Sequence, residues 1–246
     1  MPDPRTIMSV AVVMPAHNED RHIGSALVAL KTAADALQQE HPEVPVSVSV
    51  VLDSCTDRSA DITAAYVAGD SRFGAVNVEL RSTGASRDFG IRASLDGLPA
   101  EETAKIWLAT TDSDSTVPEQ WLVRQVELAN AGADAILGSV EPDPGDVEPA
   151  ILRRWLELHP FVEDHPHIYG ANLGIRASAY LAVGGFPTLR AHEDHVLVDR
   201  LRSHGFAVTA TDTTRVVTSG RLQARAPEGF AAYLRALGAE LPAATG

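Results

Sequence analysis

The 246-residue chain contains one cysteine, Cys55. A single thiol excludes an internal disulfide and fits a reducing cytosol, where a lone cysteine behaves as a small apolar residue. Positive charge is scarce as well: 20 Lys and Arg stand against 33 Asp and Glu, for a formal net charge of −13. That balance argues against a nucleic-acid partner or an anionic membrane surface. It also means that an anionic ligand needs local help from a metal, an arginine or a helix N-terminus. No apolar stretch is long enough to span a bilayer, so no integral membrane contact is expected. The apolar run over 7–14 is short, lacks a basic flank and ends at Pro15, so it reads as a first strand and not as a signal peptide. These features together predict a cytoplasmic protein. The fingerprint G-x-G-x-x-G does not follow that strand, which disfavours a dinucleotide site.

What is present is a regular alternation. Apolar, β-branched runs predict strands over 10–14, 46–52, 75–80 and 106–111, with a fifth over 135–140. Helical spacing and helix punctuation place helices between them, over 23–37, 59–67, 86–95 and 121–131. This is the pattern of an α/β fold with a parallel, doubly wound sheet and helices on both faces. The turn-rich stretch Glu141-Pro142-Asp143-Pro144-Gly145 then marks a soft boundary. Two lobes are expected, 1–140 and a smaller one over 141–246. The second lobe reads as a helix over 149–159, a Gly-punctuated turn into a short strand over 169–176, a short helix over 178–183, and a helix opened by His192-Glu193-Asp194-His195.

In open α/β sheets ligands bind outside the carboxyl ends of the strands. Four polar loops fall at that edge: Pro15-Ala16-His17-Asn18-Glu19, Asp53-Ser54-Cys55-Thr56-Asp57, Gly84-Ala85-Ser86-Arg87 and Asp112-Ser113-Asp114. Any one of them is explained by helix capping, as Asp57 and Ser59 illustrate. Together they point to a nucleotide. Asp112 and Asp114, one residue apart at the exit of a buried strand, converge on one point and repel unless a cation lies between them. Mg2+ or Mn2+ suits such oxygen ligands and takes the rest of its shell from water and phosphate, so the pair predicts a metal–diphosphate site.

The order Pro15-Ala16-His17-Asn18-Glu19, Asp53, 84–90 with Arg87, Asp112-x-Asp114, Gly170-Ala171-Asn172, Gly184-Gly185-Phe186 and Glu193-Asp194 resembles the family 2 glycosyltransferases of GT-A fold. The resemblance implies transfer of one sugar from a UDP- or GDP-sugar donor to an acceptor hydroxyl, with inversion and with a divalent metal. It implies that Pro15, Ala16, His17 and Glu19 contact the nucleoside, and that Asp53 and Arg87 grip the base or its edge. It implies further that Asp112 lies near ribose and metal, that Asp114 is the principal metal ligand, and that Asn172 is near the donor sugar. Asp194 is then the catalytic base with Glu193 beside it, and His195 the nearest candidate for an extra metal ligand.

Several residues depart from the family pattern. Asp53-Ser54-Cys55 replaces a frequent Asp-Asp-Gly-Ser, and Asp88 stands where Asn is common. Gln223 is followed by Ala224, Arg225 and Ala226, so the Q-x-x-R-W motif of processive polysaccharide synthases is absent, which argues for single-sugar transfer. Arg221 and Arg225 fit a diphosphate clamp and a solvated surface about equally. His165-Pro166-His167 lacks a second compact motif that would make a zinc site. A sugar-phosphate nucleotidyltransferase is disfavoured by the loop 15–19, which is neither Gly-rich nor basic. A non-catalytic nucleotide-sugar binding module is disfavoured by the presence of Asp194. The acceptor leaves no readable signature.

Overall fold

The computed structural model describes residues 5–189, 191–222 and 229–240. Among them, eight strands form one mixed sheet in the order β3-β2-β1-β4-β7-β6-β8-β5. The strands β1 (Ser9–Ala16), β2 (Val46–Asp53), β3 (Phe73–Val78) and β4 (Ile106–Thr110) are mutually parallel, as the alternation predicts. The sheet then turns mixed. β7 (Leu173–Arg176) is antiparallel to both β4 and β6 (Ala135–Pro142). β8 (Val208–Thr218) runs parallel to β6, and the two-residue β5 (Ser115–Thr116) pairs antiparallel with it. The sheet is thus mostly parallel, and β6 crosses residue 140, so both expected lobes share it.

The physical cause of this layering is visible in β1. Val10, Val12 and Met14 face one core with α1 (Ile23–Glu40) and α4 (Trp121–Asn130). Ala11 and Val13 face the other, which holds residues of α3 (Thr83–Leu95), α6 (Ala177–Ala182) and α7 (Glu193–Ser203). A strand apolar on both faces must be covered on both. α2 (Ser59–Gly69) packs beside α1 and β3. A third, smaller core joins α5 (Pro149–Leu158) to α8 (Phe230–Glu240) through Ile151, Trp155, Leu234 and Leu237.

The sequence pattern missed β8 and α8. β8 reads Val-Thr-Ala-Thr-Asp-Thr-Thr-Arg-Val-Val-Thr, in which β-branched residues carry the strand preference while Asp212 and Arg215 break the apolar run. The ladder with β6 shifts register between Gly138 and Val140, and Asp212 pairs there with Arg215 and Ser139. β3 begins two residues earlier than its apolar pattern suggests, at Phe73.

Candidate functional site

The carboxyl ends of β1 to β4 open into one cleft of about 1210 Å3. Pro15, Ala16, His17 and Glu19 line it, as do Asp53, Arg87, Asp112, Asp114, Glu193, Asp194 and His195. Four of the five described non-glycine residues with positive φ, namely Asn18 (53°), Ser54 (54°), Arg81 (52°) and His192 (60°), also lie on its wall. Backbone held in this region costs energy and collects at functional sites. Part of that cost is met locally: Asn18 Oδ1 accepts from the Thr56 amide at 2.7 Å and the Asp57 amide at 3.3 Å, tying the first loop to the second.

Asp53 ends β2 and is buried. Its Oδ1 accepts from the Leu80 and Arg81 amides, both at 2.9 Å, and from Ser54 Oγ at 3.1 Å. Its Oδ2 accepts from the Ser82 amide at 3.0 Å and Ser86 Oγ at 2.9 Å. Burial pushes this carboxyl up, but the amides of Arg81 and Ser82 and the Ser86 and Ser54 hydroxyls outweigh it and hold the group below its ordinary range. The carboxylate for which the family resemblance implies a base contact therefore has its lone pairs taken by Ser54, by the loop before α3 and by Ser86 of α3. It builds the cleft wall that carries Arg87.

Arg87 is buried and bridges two sides of the cleft. Nη1 donates to Glu193 Oε1 at 2.9 Å, and Nη2 donates to Asp112. Burial works against its charge, and Asp112, Glu193 and Asp194 more than restore it. The motif Gly170-Ala171-Asn172 gains a physical reason here. A Cβ at Gly170 would lie 2.5 Å from Arg87 Nη1, so a side chain at 170 would displace the guanidinium. The Gly170 amide in turn donates to Asp194 Oδ2 at 2.9 Å, while Asp194 Oδ1 accepts from the His195 amide at 2.8 Å. Asp194 sits in the first turn of α7, whose N-terminus favours an ionised carboxylate. Gly84 makes room for Glu193 similarly, since a Cβ there would lie 2.6 Å from Glu193 Cγ.

Asp114 lies beyond β4 on the same cleft. Burial first, and then Asp112, push its carboxyl up to about 6, against the pull of Arg221. Arg221 Nη2 lies 2.8 Å from Asp114 Oδ2, and the same guanidinium holds Glu19 by two bonds of 2.9 Å. A half-buried pair of carboxylates whose charges oppose each other is a place where a cation is stabilised. Among the described residues no three His, Cys, Asp and Glu side chains form a metal-holding group. His195 therefore does not complete a three-ligand set with Asp112 and Asp114. The two carboxylates suit a cation that brings its own phosphate and water ligands. Arg221 belongs to this side of the cleft, where sequence left it undecided; Arg225 lies outside the described residues.

Asn172 is corrected by the structure. It does not line the cleft and is buried. Its Oδ1 accepts from Trp121 Nε1 at 2.9 Å, and its Nδ2 donates to the Ser139 carbonyl at 2.8 Å and the Thr214 carbonyl at 2.7 Å. It locks β7 to α4, β6 and β8, and no donor is left for a sugar.

The chain matches Glycosyl transferase family 2 over residues 11–182. It belongs to that family. No curated protein matches it. Among solved structures, a mannosyltransferase of Pyrobaculum calidifontis, in complex with GDP-Man and Mn2+, is 20% identical with a TM-score of 0.66, over 96% of this chain and 63% of its own. Staphylococcus aureus TarS is 16% identical with a TM-score of 0.63, over 95% of this chain and 39% of its own. GalNAc-T7, with UDP, GalNAc and Mn2+, is 11% identical with a TM-score of 0.63, over 87% of this chain and 44% of its own. The chain thus spans 39% to 63% of the length of these three structures. The shared fold is GT-A, and it places this cleft at the strand ends that the topology rule selects. Among the described residues no helix is long and apolar enough to cross a membrane.

Proposed function

We propose that the chain transfers one hexose from a nucleoside-diphosphate sugar, UDP- or GDP-linked, to an acceptor hydroxyl with inversion. The observation that carries this reading is that Asp112, Asp114 and Asp194 line one cleft at the strand ends, in a member of Glycosyl transferase family 2. The loops 15–19 and 80–84 receive the nucleoside, and Asp53 holds the second of them in shape. Asp112 and Asp114 hold a divalent ion, Mg2+ or Mn2+, which when bound neutralises charge on the leaving diphosphate. Arg221, already on Asp114 and Glu19, lies where it contributes a second positive charge.

The reaction is a single displacement. The acceptor oxygen forms a bond to the anomeric carbon as the bond from that carbon to the diphosphate oxygen breaks. Asp194 takes the hydroxyl proton, and the Gly170 amide fixes the rotamer that does so. Glu193 stays on Arg87 and positions the turn that carries the base. Cys55 is a free thiol, in keeping with a reducing cytoplasm. Calorimetry with UDP and GDP tests the donor side. One of the two binds with Mn2+ present and weakens when Mn2+ is removed; indifference to both nucleotides overturns the proposal.

A further inference from the structure

Each acid of the proposed metal site carries an arginine, and the two arginines are held differently. Arg87 donates Nη2 to Asp112 and Nη1 to Glu193, and its side chain is 3% exposed. The backbone at Gly170 packs directly against it. Arg221 reaches Asp114 from the segment after β8, and its side chain is 25% exposed. The first guanidinium is enclosed by protein, and the second is partly open to the cleft.

The contacts of Arg221 are themselves unequal. Its Nη1 donates to Glu19 Oε2 and its Nη2 to Glu19 Oε1, both at 2.9 Å, the paired bonds of a guanidinium on a carboxylate. Glu19 is a firm seat: it is buried, and its amide meets Ser59 Oγ at 2.8 Å. Toward Asp114 there is one ion pair, from Nη2 to Oδ2 at 2.8 Å. The other oxygen, Oδ1, takes the longer contacts, from Ser115 Oγ at 3.4 Å and Thr218 Oγ1 at 3.5 Å. Arg221 therefore stands on the Asp114 oxygen that the hydroxyls leave to a cation. A divalent ion on that oxygen and the guanidinium beside it are neighbours of like charge, and they repel. The Glu19 bonds keep Arg221 at the site while its Asp114 contact is given up. A phosphate that arrives with the ion offers Nη2 another anionic oxygen in exchange.

We infer, resting on the metal–diphosphate reading of this cleft, that Arg221 is the resident counter-ion of Asp114 and couples metal binding to nucleotide binding. It competes with a divalent ion that comes alone, and it pairs with the phosphate of one that comes with a nucleotide. Glu19 is its pivot. Metal and nucleoside diphosphate then strengthen each other's binding by the same factor in both directions, and Arg221 supplies part of that factor.

The test uses the intact chain with Mn2+, UDP and GDP. Paramagnetic resonance of unbound Mn2+ reads metal affinity without any nucleotide, and calorimetry reads nucleotide affinity with and without Mn2+. In the wild type Mn2+ alone binds weakly, and the preferred nucleotide tightens it. Arg221→Gln binds Mn2+ alone about tenfold more tightly, the scale of one charged contact, and the mutual strengthening shrinks by a similar factor. Arg221→Lys keeps the charge, so its affinity for Mn2+ alone stays nearer the wild type than that of the glutamine variant. Arg221→Gln with wild-type affinity for Mn2+ alone or with undiminished mutual strengthening, or a lysine variant that binds Mn2+ alone as tightly as the glutamine variant, overturns the inference while the donor reading stands. A wild type whose nucleotide binding ignores Mn2+ brings down the metal in the donor reading, and this inference with it.

Discussion

Replacing Asp53 with alanine separates two roles for one carboxylate. A residue that only touches the base makes few contacts with the protein, and its loss weakens nucleotide binding with little change in stability. The structure gives Asp53 five donors instead. Leu80 and Arg81 are exposed, so their amides regain water when the carboxylate is removed. The Ser82 amide is half-buried and the Ser86 hydroxyl is buried, so they do not recover as fully. Hydrogen bonds to a charged acceptor contribute about 1.5–3 kcal/mol each, so these two alone put the loss at about 3 kcal/mol. The carboxyl is held below its ordinary 3.8, so its contribution is complete above that pH and fades as pH falls through the lower folded value. Urea unfolding of wild type and Asp53→Ala then shows a constant gap from about pH 5 to pH 8 that narrows below about pH 4. Nucleoside-diphosphate affinity falls in the same variant, because the loop leading into α3, the helix that carries Arg87, loses its anchor. A variant that unfolds at the wild-type urea concentration while losing nucleotide affinity refutes the anchoring role and returns Asp53 to direct contact with the base.

Other substitutions probe the remaining parts. Asp114→Ala removes the Mn2+ dependence of nucleoside-diphosphate binding in calorimetry; a metal response equal to wild type contradicts its role as ligand. Asp194→Asn keeps the shape of the side chain but cannot take the proton, so it leaves donor affinity nearly intact and lowers transfer by about a hundredfold or more. Glu193→Gln costs less turnover, and the reverse ranking makes Glu193 the base. Asn172→Ala strands the Trp121 indole and two buried carbonyls and destabilises the fold by about 3 kcal/mol in urea unfolding, whereas a cleft residue costs little.

Much of this was legible in the sequence because the chemistry sits at strand ends. β1, β2 and β4 announce themselves as apolar runs, and whatever follows them must emerge at one edge of a parallel sheet. That logic finds His17, Glu19, Asp112 and Asp114 without any tertiary information. Asn172 defeats it because an amide after Gly-Ala reads equally as a ligand or a latch. Its partners Trp121, Ser139 and Thr214 lie 51, 33 and 42 residues away. Arg221 follows β8, a strand hidden by Asp212 and Arg215, so its return to Glu19 across 202 residues was not readable. The 3.6-residue spacing of Phe230, Leu234 and Leu237 was present in the sequence and marks α8 in hindsight.

The most direct measurement is release of nucleoside diphosphate from a panel of UDP- and GDP-sugars by the intact chain with Mn2+, with no acceptor but water. A transferase with this cleft slowly hydrolyses one donor to its nucleoside diphosphate, and releases it faster when an acceptor is added. A chain that leaves every donor intact, or that turns over a sugar phosphate only with a nucleoside triphosphate, contradicts the glycosyltransferase assignment.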